Sequence, residues 1–359
     1  MSRVRLQGVS RSYSGVQALD DVSVEIAPQR ITVLCGPPAA GKSVLLRLLV
    51  GLEQPDAGRI LINERDITDI PAARRRIGYV PQSFALFPHV SVFDNIAYPL
   101  ALQKVGRAEI KRRVGEVAEI LRIRPLLAKR PSQLSGGEKQ RSAIARGMLK
   151  NADLFLLDDP LVGLDFKLRE SLMEDLKDMR AELGATFLYA TSDSLEALTM
   201  AEDLIVLDAG RVVEANPVNE VYHRPRHLRA AELVGFPRCN VLDGMLEAGG
   251  GCRTGVVAFP LEVATDFVGP VAVVARPEHI SHCTDGAPAT VRLLENLGAE
   301  CVVYFQAGGE TLVTSVPSPS VAHLDIDSPF PFALRADGLL VFDRASGALV
   351  GRGKEVLHA

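Results

Sequence analysis

Eight consecutive residues constrain this chain more than any other stretch. Gly36-Pro37-Pro38-Ala39-Ala40-Gly41-Lys42-Ser43 satisfies G-x-x-x-x-G-K-[ST] in full. The apolar run Ile31 to Cys35 leads into it, and the apolar helical run Val44 to Leu49 leaves it. A strand, a loop and a helix start in that order aim main-chain N–H groups and a positive helix end at phosphate oxygens. Lys42 is expected to neutralise the β- and γ-phosphates, and the Ser43 hydroxyl to hold Mg²⁺. An ordinary glycine turn at a strand end requires neither side chain. The expected ligands are therefore a nucleoside triphosphate and Mg²⁺.

A loop of this kind needs a carboxylate opposite it. Phe155-Leu156-Leu157-Asp158 is an apolar strand that ends in one, delivering Asp158 to the ion that Ser43 also touches. Further strand candidates are Val22 to Ile26, Phe187 to Ala190 and Leu204 to Leu207. Helical patterns follow Gly41 and Gly137 and cover Glu109 to Ile123 and Lys167 to Leu183. Buried strands alternating with helices predict an α/β domain with a mainly parallel sheet. Near Phe236-Pro237 the texture changes to short alternating runs, among them Val271 to Val274, Val291 to Leu294, Cys301 to Phe305 and Leu312 to Val316. The expected division is a nucleotide-binding domain over 1–235, with a helical subdomain at about 85–150, and a small all-β domain over 236–359.

Composition narrows the setting. A net charge of -4 gives no reason to expect nucleic acid as a partner. No stretch approaches the roughly 18 consecutive apolar residues needed to span a bilayer. Met1 to Leu6 alternates like a strand rather than a secretory signal. The five cysteines lie far apart without a C-x-x-C pair, which suits a reducing cytosol.

The decisive segment is Leu134-Ser135-Gly136-Gly137-Glu138-Lys139-Gln140-Arg141, ahead of a helix and upstream of the Asp158 strand. A capping serine and two glycines at a helix start form an anion-facing surface. This segment resembles the signature of ABC ATPases, in which it presses on the γ-phosphate of ATP held by the opposite subunit. The resemblance runs from Val4 to Gly235 and implies further roles. Tyr13 matches the aromatic residue that stacks on adenine. Gln82 matches the glutamine linking Mg²⁺ and the attacking water to the membrane subunit. Gly163-Leu164-Asp165 matches the loop that crosses to the partner's site. Phe84 to Ala97 looks like the importer surface that receives a permease helix. Cys239 to Gly244, Arg276-Pro277-Glu278-His279 and Val291 to Gly298 resemble the OB-like (TOBE) C-terminal domain of maltose-type importer ATPases, a dimerisation and regulatory domain in that family.

Two positions depart from the family pattern. The residue after the Mg²⁺-binding Asp is normally a glutamate that polarises water; here it is Asp159, whose carboxylate is set back by about 1.5 Å of bond length. The loop after the next strand normally carries histidine; here Ser192 holds that place, and a hydroxyl can neither span the distance nor carry charge. Both departures affect the half-site around the chain's own ATP, whereas the signature is intact apart from Glu138, often glutamine in the family. The resemblance implies an ATPase subunit at the cytoplasmic face of the plasma membrane, energising import of a carbohydrate or polyol-like solute. Its partners would be permease subunits, a second ATPase subunit and, indirectly, a solute receptor. The departures suggest the less active half of a heterodimer. An active homodimer, a non-hydrolysing ATP-binding regulatory module and a soluble ABC ATPase remain alternatives at this point.

Overall fold

The computed structural model describes residues 3–150, 152, 154–262 and 265–354. The chain divides into two compact units, residues 1–218 and 219–359.

The first unit begins with an antiparallel pair, β1 (Val4–Tyr13) and β2 (Val16–Ile26), followed by β3 (Ile31–Cys35). Every residue of β3 is buried, as its uninterrupted apolar run requires. Helix α1 (Lys42–Val50) ends at Gly51, which takes the left-handed conformation at φ 81°. Its last carbonyls, those of Leu48 and Leu49, accept hydrogen bonds from the buried Arg75 guanidinium at 2.6 and 2.7 Å. Strands β4 (Ala57–Ile62), β5 (Arg65–Asp66) and β6 (Ile77–Val80) come next. Helices α2 (Val92–Leu102), α3 (Arg107–Ile120) and α4 (Gly136–Met148) then form a helical stretch before β7 (Leu154–Asp158). The unit closes with α5 (Phe166–Leu183), β8 (Thr186–Thr191), α6 (Ser194–Met200), β9 (Asp203–Asp208) and β10 (Arg211–Pro217).

These strands make two sheets. One is six-stranded in the order β10-β9-β3-β8-β7-β6, parallel except at the β9–β10 edge. The other is antiparallel, in the order β2-β1-β4-β5. Leu45, Leu46, Leu48 and Leu49 of α1 pack into one core with Val4, Leu6, Val22 and Ile26 of the second sheet and Leu34, Leu156 and Leu188 of the first. Of the second sheet, the sequence marks the start of β1 and the Val22 to Ile26 half of β2, whereas β4 and β5 carry no clear alternation.

The second unit is mainly antiparallel. Its largest sheet joins Asn240–Leu246, Gly251–Thr254, Ala258–Pro260, Gly269–Ala275, Leu340–Asp343 and Leu349–Arg352. A three-stranded sheet joins Thr290–Asn296, Glu300–Ala307 and Glu310–Pro317. Residues Val271 to Ala275 are buried on both faces. Val271, Val273 and Ala275 face the barrel-like core, while Ala272 and Val274 pack with Leu228 and Ala231 of helix Leu228–Leu233. The texture change at Phe236 thus falls inside this unit, since residues 219–235 supply the cover for one face of its sheet.

Candidate nucleotide site

The site grows from the end of β3. At Gly36 a Cβ would run into the carbonyl oxygen of Leu207, so only glycine permits this approach of the loop to β9. The loop then turns, with the Ala40 N–H donating to the Pro37 carbonyl at 3.1 Å. Ala39 and Gly41 both take positive φ, 65° and 105°. For alanine that conformation is strained, and such strain collects at ligand-binding loops. At Gly41 any Cβ would meet the Ala18 carbonyl, so this turn into α1 depends on glycine. Lys42 is buried and its ammonium donates to the carbonyls of Gly36 and Pro37 at 2.7 and 3.1 Å. Burial pulls the Lys42 pKa down.

Across the loop, the Ser43 hydroxyl donates to Asp158 Oδ1 at 3.0 Å and the Tyr79 hydroxyl donates to Oδ2 at 3.2 Å. Burial and the Asp158 charge push the Tyr79 hydroxyl pKa up, so it stays a donor. Serine hydroxyl, aspartate carboxylate and the Gln82 amide are hard oxygen donors of the kind Mg²⁺ selects, and this donor set fits the ion. Gln82, Asp159, Val162 and Ser192 line the same cleft as Pro38 to Ser43, and its volume is about 390 Å³. Asp159 takes φ 44°, and its N–H donates to the Ala190 carbonyl at 2.9 Å. Its Oδ1 accepts from the Ser192 N–H at 3.3 Å. Burial raises the Asp159 carboxyl pKa; Lys42 opposes that shift and Asp158 adds to it.

Tyr13 does not line this cleft. Its hydroxyl donates to the Glu53 carboxylate, the Arg11 guanidinium lies 4.9 Å from its ring centroid, and Glu53 also accepts from Arg47 at 2.6 Å. Ser135, Gly136, Gly137, Glu138 and Asp165 also lie outside it. Ser135 caps α4: its N–H donates to Glu138 Oε2 at 2.7 Å, and its hydroxyl oxygen accepts from the Glu138 N–H at 3.3 Å. The bond from the Ser135 N–H holds the Glu138 carboxyl below its usual range. Ser135 and Gly136 are exposed, and a Cβ on Gly136 would meet nothing within 4 Å. Asp165 caps α5 through the Leu168 N–H at 2.9 Å.

Other parts of the site carry no motif in the sequence. Tyr79 is one; only strand register brings it to Asp158, because β6 pairs in parallel with β7. Behind Ser192, the buried Glu196 accepts from the Tyr189 and Thr191 hydroxyls at 2.9 and 2.8 Å. Arg169 lies 3.0 Å from Asp193 and 3.4 Å from Glu196.

A second concavity, about 680 Å³, lies on the helical stretch and includes Val50, Phe87, Tyr98, Leu102, Arg146 and Lys150 in its lining. Arg146 donates to the carbonyls of Phe84 and Ala85 at 2.8 and 2.7 Å, and buried Asn95 brackets Phe87 through its N–H and carbonyl at 2.7 and 3.0 Å. Phe87, Tyr98 and Leu102 stay 41%, 44% and 66% exposed, an apolar patch without a cover. Among the described residues no helix is long and apolar enough to cross a membrane.

Known proteins resemble both parts of the chain. The ABC transporter family profile matches residues 19–162, and the TOBE domain profile matches residues 273–342. The sn-glycerol-3-phosphate import ATP-binding protein of Cupriavidus necator is 37% identical over 97% of this chain and 99% of its own length. The trehalose/maltose import ATP-binding protein of Thermococcus litoralis is 34% identical over 98% of this chain and 100% of its own. Among solved structures, a dimeric ATP-binding cassette in a post-hydrolysis state with ADP and Pi superposes with a TM-score of 0.56 at 29% identity. That alignment covers 60% of this chain and 98% of the cassette.

Proposed function

The chain belongs to the family of ABC transporter ATP-binding proteins with a TOBE domain, and on that premise we propose that it energises solute import as the less active half of an ATPase heterodimer. The relatives are import ATP-binding proteins for glycerol phosphate and for trehalose and maltose, which favours a carbohydrate or polyol-like solute here. In this reading the Gly36–Ser43 loop cradles the ATP phosphates and Tyr13 receives the base. Ser43, Asp158 and Gln82 would hold Mg²⁺, which when bound neutralises charge developing on the phosphates. Ser135, Gly136 and Gly137, with Glu138 and Asp165, address the ATP of a second ATPase subunit. The exposed apolar residues Val162, Phe166 and Leu195 around the Asp165 loop support such a partner. The groove at Phe87 and Tyr98 receives a permease segment, which places the chain peripherally on the cytoplasmic face of the membrane.

One observation carries the assignment of low activity: the Asp159 carboxylate, already short, is held by the Ser192 N–H. A displacement on the order of 1 Å costs about a hundredfold in rate. Asp159 nonetheless faces the same cleft as Ser43, which supports a second reading, an active homodimer. The test is to isolate tagged chain from membranes, identify its companions, and compare ATPase of the complex with that of the chain alone. A different ATPase subunit and permease proteins should co-purify, with turnover concentrated in the complex. Brisk turnover by the isolated chain would eliminate the heterodimer and leave the homodimer.

A further inference from the structure

Arg74, Arg75 and Arg76 follow one another in a chain whose net charge is -4. The backbone at Arg75 is extended, at φ -80° and ψ 134°, so its side chain turns inward while Arg74 and Arg76 stay exposed. Only 3% of Arg75 is exposed. Its Nε–H donates to the Ile70 carbonyl and its Nη2 to the Thr68 carbonyl, both at 2.7 Å, beside the bonds to Leu48 and Leu49 that close α1. All four acceptors are neutral. Among the described residues no carboxylate forms an ion pair with Arg75, so a full positive charge lies buried without a counter-charge in contact.

This charge lies in the wall of a concavity of about 590 Å³ that also takes in Arg65, Arg74 and Arg76. Asp69 is the one carboxylate in that lining. Two acidic groups nearby are engaged elsewhere: Glu64 holds Arg5 at 3.2 Å, and Asp66 accepts from the Thr68 N–H and hydroxyl at 2.9 and 2.6 Å. Arg65 and Arg74 are exposed, and neither forms an ion pair among the described residues. Arginines on a merely solvated loop need not converge on one hollow. Here they do, and apolar Ile62, Ile70 and Pro71 share the lining. A concave surface with low-dielectric walls and charge of one sign focuses its field on whatever enters.

We propose that this concavity binds a phosphate monoester. Arg65 and Arg74 donate to its oxygens, the buried Arg75 charge attracts it, and Ile62, Ile70 and Pro71 pack against the compact carbon group it carries. Two exposed guanidinium groups and a buried one call for more than one unit of negative charge, which a phosphate dianion supplies and a single carboxylate does not. Helix α1, nine residues and about 13 Å long, separates this place from the Lys42 loop, so both can be occupied at once. The site does not depend on the reading of the chain as an import ATPase.

The test is calorimetric titration of the full chain with phenyl phosphate, with Mg²⁺ and a non-hydrolysable ATP analogue present to fill the nucleotide cleft. Phenyl phosphate should bind, and phenol, the uncharged control, should not. Arg65→Gln and Arg74→Gln should each weaken binding by about tenfold. Both positions are exposed, so the unfolding temperature should stay within about 1 °C. Asp69→Asn should tighten binding by about threefold, a gain that a damaged fold cannot produce. Phosphatidylcholine vesicles containing phosphatidic acid, sedimented with the chain, distinguish the source of the phosphate. Binding to these vesicles but not to phenyl phosphate, lost in the same arginine variants, would keep the phosphate and give it a lipid origin. Binding that the ATP analogue displaces would belong to the Lys42 loop and would sink the proposal. Absence of binding to either probe, or an affinity that none of the three substitutions moves, would overturn it equally.

Discussion

The main-chain N–H of Ser192 donates to Asp159 Oδ1 at 3.3 Å, so the loop after β8 meets the residue that follows Asp158. This bond takes one acceptor site of the Asp159 carboxylate and sets the direction in which its remaining sites point. The Asp159 backbone is also fixed, at φ 44° and by the bond to the Ala190 carbonyl, so the shorter side chain gains little reach from rotation.

Residues in contact do not contribute independently. Asp159→Glu alone should raise single-turnover ATP hydrolysis at this site by less than about tenfold, because serine still leaves the γ-phosphate side without an imidazole. Asp159→Glu with Ser192→His should raise it by about a hundredfold, more than the product of the single changes. Single-turnover kinetics on the purified chain with excess protein decide the matter. Strictly multiplicative effects would mean that the contact has no part in setting the rate at this site.

Asp159 also leaves a mark on stability. Burial raises its carboxyl pKa in the folded chain above the unfolded value, so folding favours the protonated form. The ionised group therefore weighs against the fold at neutral pH, and that penalty disappears once pH falls below the unfolded carboxyl value of about 3.9. Asp159→Asn should raise the unfolding temperature at pH 7–8, and the gain should shrink steadily as pH falls toward 4. Thermal unfolding across that range, without nucleotide, checks both sign and window. A gain independent of pH would assign the effect to packing instead.

Much of this site was legible from residue order alone. The Gly36–Ser43 loop and the Asp158 strand need only local pattern, because a buried parallel strand is an unbroken apolar run and the phosphate cradle is a contiguous segment. The Tyr79–Asp158 bond and the Glu53 link between Tyr13 and Arg47 were not legible, since register and side-chain direction bring those residues together and neither has a local signal. In the second unit, Val271 to Val274 reads from sequence as one short strand among several. That it is covered on both faces depends on helix Leu228–Leu233, whose six residues are too few for a clear periodic pattern.

Gly136 offers a test of the signature with little structural disturbance. It opens α4 at an exposed position where a Cβ touches nothing within 4 Å, and alanine is a good helix residue. Gly136→Ala should leave the unfolding temperature of the chain within about 1 °C, since exposed substitutions of this kind change stability little. On the proposed reading, turnover of the assembled complex should fall by about tenfold or more, because the added methyl would stand on the surface that approaches the partner's phosphate. Unfolding curves paired with ATPase of the complex distinguish this from a fold defect. Full turnover would exclude close approach at this glycine.

The second unit depends on one guanidinium. Arg276 is buried, donates to the carbonyls of Tyr222 and Val234, and stacks 3.9 Å from the centroid of the Tyr222 ring. It holds residues 219–235 on the sheet that Val271 to Ala275 anchors, and any side chain at Gly235 would collide with it. Arg276→Met removes the donors, strands two carbonyls and loses the cation–π contact, for a combined loss of about 3 kcal/mol. Arg276→Lys should recover less than half of that, because an ammonium cannot both lie flat on the ring and direct donors at two separate carbonyls. Hydrogen exchange should show the 219–235 segment losing protection first, while nucleotide affinity at the Lys42 loop, which belongs to the other unit, stays unchanged. Equal protection in the methionine variant would mean that apolar contacts of Leu228 and Ala231 suffice to hold the segment, and the guanidinium would then be a passenger in this core.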